Sequence, residues 1–136
     1  MKVFALSDIH IDYENNKRWL FNLSMMDYRR DVLILAGDIT DNLQTLEQCF
    51  IHLSKAFKQV LYVPGNHELW VVRDSVKSSL DKFKKVSQLA FDCDITMQPC
   101  QFGSLSIVPL LGWYDFSFGE PVGDIQHSWI DFRHCI

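Results

Sequence analysis

Three short apolar runs punctuate the first half of the chain: KVFAL from Lys2 to Leu6, DVLILA from Asp31 to Ala36, and QVLYV from Gln59 to Val63. None alternates cleanly with polar residues. Continuous apolar runs of this length predict strands buried on both faces, as in a parallel sheet. Between them the spacing turns helical. Trp19, Leu20, Leu23 and Met26 predict a helix over Lys17 to Met26. Leu43, Leu46, Phe50, Leu53 and Phe57 form a clearer stripe over Asn42 to Phe57, close to a 3.6-residue period. Asp41, with Gln44 three residues on, reads as a capping box at its start. A third helix is expected over Glu68 to Ala90, carrying the charges of Arg73, Asp74, Lys77, Asp81, Lys82, Lys84 and Lys85. Beyond residue 90, Asp94 to Met97 and Ser104 to Leu110 read as strands with Phe102-Gly103 in the turn between them, and Asp124 to Cys135 reads as a helix. Strands alternating with helices predict an α/β fold with right-handed crossovers.

With 136 residues, the chain has the length of one domain. It is 48% hydrophobic and 22% charged, enough apolar surface to offset the entropy of folding, which argues against disorder. The net charge of −4 argues against a broad nucleic-acid surface, although a nuclease that grips its substrate through metals remains compatible. The apolar runs are too short to span a membrane, and the first residues have neither the signal-peptide nor the transit-peptide pattern. Cys49, Cys93, Cys100 and Cys135 form no CxxC pair, so free thiols and a cytoplasmic location are expected.

The chemistry sits where the apolar runs end. They lead into Ser7-Asp8-Ile9-His10, Gly37-Asp38-Ile39-Thr40-Asp41 and Pro64-Gly65-Asn66-His67-Glu68. In an open parallel sheet the carboxyl ends of the strands share one edge, where ligands bind. Asp, His and Asn converging there suggest a site for borderline-hard divalent ions. Asp8 and His10 stand two residues apart, so in extended backbone they face one side and can grip one ion. Asp38 has two carboxylate oxygens and can bridge two ions. Asn66 offers a neutral carbonyl oxygen to the second. Gly37 and Gly65 fit positions where backbone must turn sharply or come close. Two divalent cations outweigh the charge of Asp8 and Asp38, and the surplus would attract a phosphate. Read singly, Asp41 is a helix N-cap and Glu68 favours the positive end of a following helix.

Taken together, Asp8-x-His10, Gly37-Asp38-x-x-Asp41 and Gly65-Asn66-His67-Glu68 resemble the first three signature blocks of the calcineurin-like metallophosphoesterases. The resemblance implies an α/β sandwich of two β-sheets flanked by helices. It implies that Asp8 and His10 bind the first metal, Asp38 bridges, and Asn66 binds the second. His67 would then stabilise or protonate the leaving oxygen, Asp41 would be structural, and Glu68 would orient His67. It further implies hydrolysis of a phosphoester by a hydroxide activated between two divalent ions, with manganese, iron or zinc all suited to the ligands. Phosphoproteins, cyclic nucleotides, nucleotide pyrophosphates and DNA all fit these motifs as substrates. The motifs say nothing about oligomeric state.

The chain departs from the family in lacking two later blocks, an isolated metal-binding His and a Gly-His-x-His. The histidines after His67 are His127 and His134, which read as surface residues of a polar tail, while His52 reads as structural. The expectation is therefore a single metallophosphoesterase domain represented by its N-terminal part, residues 1–136, with an incomplete sandwich, a weakly held second metal and, by itself, impaired or no activity. The aromatic segment from Gly112 to Gly119 is expected either to line the substrate side or to be core surface. A non-catalytic interaction module on the same scaffold is the competing reading. No Gly-x-Ser-x-Gly, P-loop or Gly-x-Gly-x-x-Gly is present, which speaks against other hydrolase or nucleotide-binding folds.

Overall fold

A computed structural model describes residues 1–112, 119 and 123–136, apart from the side chain of residue 126. The aromatic run at 113–118 lies outside the described residues. Strands β1 (Val3–Leu6), β2 (Val32–Ala36), β3 (Gln59–Val63) and β4 (Ile95–Thr96) form a parallel sheet in the order β1-β2-β3-β4. Helices α1 (Glu14–Phe21), α2 (Leu43–Ala56) and α3 (Ser79–Asp92) connect them. The second sheet, among the described residues, is the antiparallel pair β5 (Cys100–Phe102) and β6 (Leu105–Ile107). Two helical turns, α4 (Ile125–Ser128) and α5 (Asp131–His134), follow. The four cysteines are free. Among the described residues no helix is long and apolar enough to cross a membrane.

The register explains where the core lies. Phe4, Leu33, Val60 and Ile95 are aligned across the sheet, and Leu6, Leu35 and Tyr62 form the next row on the same face. These rows meet Leu46, Phe50, Leu53 and Ala56 of α2 and Val86 and Ala90 of α3 in one cluster. Sequential strands joined by helices stack the helices side by side, and α2 touches both α1 and α3. Burial on both faces holds for much of β2 and β3 but not for β1. Val3 and Ala5 of β1 are exposed because β1 is the edge strand and faces helices on one side only.

Helix boundaries differ from the sequence pattern for identifiable reasons, and the helix expected over Asp124 to Cys135 is the two turns α4 and α5, with Trp129 extended between them. Helix α1 ends at Phe21, and Met26 is 68% exposed. The Ser24 hydroxyl accepts from the amides of Met26 and Asp27 (3.3 and 3.2 Å), a side-chain turn that competes with helix. Tyr28 then stacks on Phe57 at 5.0 Å and fixes the return to β2. Helix α2 is capped by Asn42, whose Oδ1 accepts from the Thr45 amide at 2.9 Å. Asp41 is not the cap, because its carboxylate is engaged by Arg73 at 3.1 Å.

The expected third helix is in fact two pieces, a 3₁₀ turn at His67–Leu69 and α3, which starts eleven residues after Glu68 with Ser78 as its cap. Long-range partners hold the stretch between them. The ammonium of Lys82, 1% exposed, pairs with Asp74 at 2.8 Å and donates to the carbonyls of Asp41 and Trp70. A charge so deeply buried is tolerated only when paired and hydrogen-bonded. The Lys82 ammonium thus ties the segment after the 3₁₀ turn to the loop after β2.

Candidate metal centre

The β1 exit loop lies alongside the β2 exit loop. The amides of Asp8, His10 and Ile11 donate to the carbonyls of Gly37, Asp38 and Ile39 at 3.1, 3.0 and 2.8 Å. Ile9 and Ile11 are buried and anchor the loop, and Asn16 of α1 donates to the carbonyls of Ile9 and His10 at 2.8 and 3.3 Å. Asp8, His10 and Asp38 have φ of 53°, 38° and 54°, and Gly37 has 73°. The extended geometry expected for Asp8 and His10 is therefore replaced by left-handed turns at both residues. Backbone of this kind at non-glycine residues costs roughly 1–3 kcal/mol each and persists where surrounding structure enforces it, often at functional sites.

The β3 exit loop closes on this strained pair of loops at the two glycines. A Cβ on Gly37 would lie 2.4 Å from the Gly65 amide nitrogen, and one on Gly65 would lie 2.1 Å from Asp38 Oδ1 and 2.8 Å from Asp38 N. Gly65→Ala should therefore push the Asp38 carboxylate aside or part the loops. The expected outcome is a loss of about 1–3 kcal/mol, the usual scale of overpacking, with a larger proportional loss of divalent-ion affinity. Urea unfolding together with manganese titration measures both. Unchanged manganese affinity in Gly65→Ala would show that the close approach does not matter for the site.

Glu68 clamps the assembly. Its carboxylate, fully buried, accepts from the amides of Asp38 (3.0 Å), Ile39 (2.5 Å), Thr40 (3.1 Å) and Gly65 (2.7 Å). Burial pushes this carboxyl above the usual carboxylate range, and the four amides act in the opposite direction. Asp41 is likewise raised by burial, with Arg73 opposing. Arg73 also reaches Asp12 at 2.8 Å, and the Thr40 hydroxyl donates to Asp12 at 3.0 Å, so Asp41 belongs to a structural network beneath the site.

Ligand atoms of His10, Asp38 and His67 lie within 4.8 Å of one another, and the His10 and His67 rings are 4.6 Å apart. Asp8, exposed at the rim, is not part of that group. The His67 amide donates to Asp38 Oδ1 at 3.3 Å, and the His67 ring stacks on Trp70 at 3.8 Å. The imidazole of His10 and the carboxylate of Asp38 are donors that suit manganese, iron or zinc, and the His67 ring stands beside them. Asn66 lies beside Asp38 on a cavity of about 480 Å³ whose wall includes Trp129, Asp131 and Phe132.

Sequence reasoning missed Asn16, Trp70 and Asp131. Trp70 donates its indole N–H to Asp131 at 2.6 Å, and Asn66 donates Nδ2 to the same carboxylate at 2.9 and 3.1 Å. No local pattern marks these residues, since Asp131 comes from a distant turn. His134, expected at the surface, is half-buried with its ring edge-on to Trp70 at 4.8 Å, because its carbonyl accepts from the Val71 amide at 2.9 Å. His127 is exposed beside Asp124, as expected. His52 packs against Phe21 at 5.2 Å, and burial lowers its pKa, in keeping with a structural role.

The family model described as calcineurin-like phosphoesterase matches residues 1–132. The chain is 29% identical over 127 residues to the acyl-carrier-protein phosphodiesterase PptH of Mycobacterium tuberculosis, a match covering 85% of this chain and 38% of that protein. The crystal structure of the phosphopantetheinyl hydrolase PptH from the same organism has a TM-score of 0.75 to this chain at 24% identity, over 99% of this chain and 52% of that one. The fold is thus shared, and the chain spans about half or less of the length of these similar proteins. With the match extending across all three strand-end loops, the chain belongs to the calcineurin-like phosphoesterase family.

Proposed function

We propose that the chain carries the metal-binding core of a phosphodiester hydrolase. The observation that carries this reading is the convergence of His10, Asp38 and His67 within 4.8 Å at the carboxyl edge of the parallel sheet. Asp8, His10 and Asp38 would hold one divalent ion, and Asp38 and Asn66 a second. Such ions, when bound, acidify water and offset phosphate charge. The residues of the chain do the rest. Asp38 is fixed by the Glu68 clamp and by the Gly65 approach. His67, held by its stack on Trp70 and by the hydrogen bond its backbone N–H donates to Asp38, would deliver a proton to the leaving oxygen. The cavity beside Asn66, with Trp129 and Phe132 in its wall, offers room for one ester arm of a diester.

The similar protein's name, acyl-carrier-protein phosphodiesterase, supports a substrate of the same class, a phosphodiester with a protein or phosphopantetheinyl arm. The test is hydrolysis of bis(p-nitrophenyl) phosphate by chelator-treated protein. Turnover, weak in this chain because the second ion is loosely held, should be absent without metal, appear with manganese, and stay absent in Asp38→Asn. Turnover that survives complete chelation, or that is unaffected by Asp38→Asn, would contradict the proposal.

A further inference from the structure

We infer that Asp131 is a positioning residue that fixes both the amide of Asn66 and the ring of His67. The inference rests in part on the reading of Asn66 as a metal ligand. An asparagine amide has two faces of opposite character, an oxygen that can ligate a cation and an NH2 that can only donate. Nothing in Asn66 itself selects which end faces the ion. Asp131 does, because an ionised carboxylate only accepts. Asn66 Nδ2 lies 2.9 and 3.1 Å from its two oxygens, so the nitrogen must face Asp131 and Oδ1 is the atom left to serve a ligand.

The same carboxylate accepts from the Trp70 indole at 2.6 Å. The Trp70 ring stacks on His67 at 3.8 Å with an interplanar angle of 29°. One acidic group therefore sets the orientation of a ligand residue on one side and, through an aromatic plate, of the proposed proton donor on the other. This is the arrangement expected of outer-shell carboxylates, whose loss weakens metal binding without removing a ligand. The position is not predictable locally, since Asp131 is 65 residues from Asn66. Its place at the start of the α5 turn, with α5 held to the Val71 backbone through the His134 carbonyl, makes α5 part of the site.

The experiment combines two readouts on the chain as it stands. Without metal, ¹H–¹⁵N spectra should show the Asn66 side-chain amide, assigned by its loss in Asn66→Asp, and the Trp70 indole displaced from free-amide and free-indole positions. Both should return toward those positions in Asp131→Ser. With metal, manganese affinity measured by calorimetry should fall roughly 10–100-fold in Asp131→Ser, with Asp131→Asn between the two because it keeps one acceptor oxygen. Wild-type Asn66 and Trp70 signals at free positions would overturn the inference even if Asp131→Ser failed to fold. So would an unchanged manganese affinity in a folded Asp131→Ser chain. A wild-type chain that binds no manganese would instead defeat the metal reading, and the metal-free spectra would still decide the orienting role.

Discussion

Glu68→Ala is expected to be the most destabilising single change in the site, lowering stability by at least about 4 kcal/mol, or by more than the chain has. The carboxylate accepts four backbone amides, from Asp38, Ile39, Thr40 and Gly65, and it is fully buried. Removing it leaves those donors without an acceptor in a place where few waters can reach. At about 1 kcal/mol each, the low end for an unsatisfied buried donor, the four together give the stated loss. Glu68→Gln keeps the volume but replaces one acceptor oxygen with an NH2 facing amide donors, so it should recover only part of the stability. Chemical unfolding of the three chains measures the order. A Glu68→Ala chain as stable as the parent would show that the loops after β2 and β3 hold together without the clamp.

That clamp also shows where sequence reading stops. The apolar runs before residues 7, 37 and 64 and the stripe Leu46, Phe50 and Leu53 were readable because burial imposes a period on sequence. That the polar loops after β1, β2 and β3 share one sheet edge followed from strand direction alone, whereas the close group there, His10, Asp38 and His67 without Asp8, did not. The left-handed turns at Asp8, His10 and Asp38 were not readable, since Asp and His tolerate such backbone more often than other side chains but occur far more often without it. Helix α3 started late because Lys82 reaches back to Asp41, Trp70 and Asp74, a set of long-range contacts that periodicity cannot register. The resemblance implies that Glu68 orients His67, whereas the hydrogen bonds its carboxylate accepts come from the backbone of Asp38, Ile39, Thr40 and Gly65. Asp131 carries no local signal, because its partners Asn66 and Trp70 lie 65 and 61 residues away in sequence.

His67→Ala should keep manganese and lose turnover of a phosphodiester by roughly 10²–10⁴-fold, the usual scale of acid–base assistance. The ring is supported by Trp70 rather than by a carboxylate, and its removal leaves His10, Asp38 and Asn66 in place. The prediction is sharp because ligand atoms of His67 also lie within 4.8 Å of those of His10 and Asp38. Measured manganese stoichiometry in the variant separates the two roles. Retained metal with lost rate identifies a proton donor. Lost metal would make His67 a ligand and would pass the protonation of the leaving oxygen to another group.

On the proposed reading, the ends of β1, β2 and β3 build one metal centre. Its most direct test is an anomalous difference map from crystals of the chain grown with manganese. The account predicts a peak in contact with His10 and Asp38, with any second peak beside Asp38 and Asn66. Manganese found elsewhere on the chain, with no peak at the edge shared by His10 and Asp38, would contradict it.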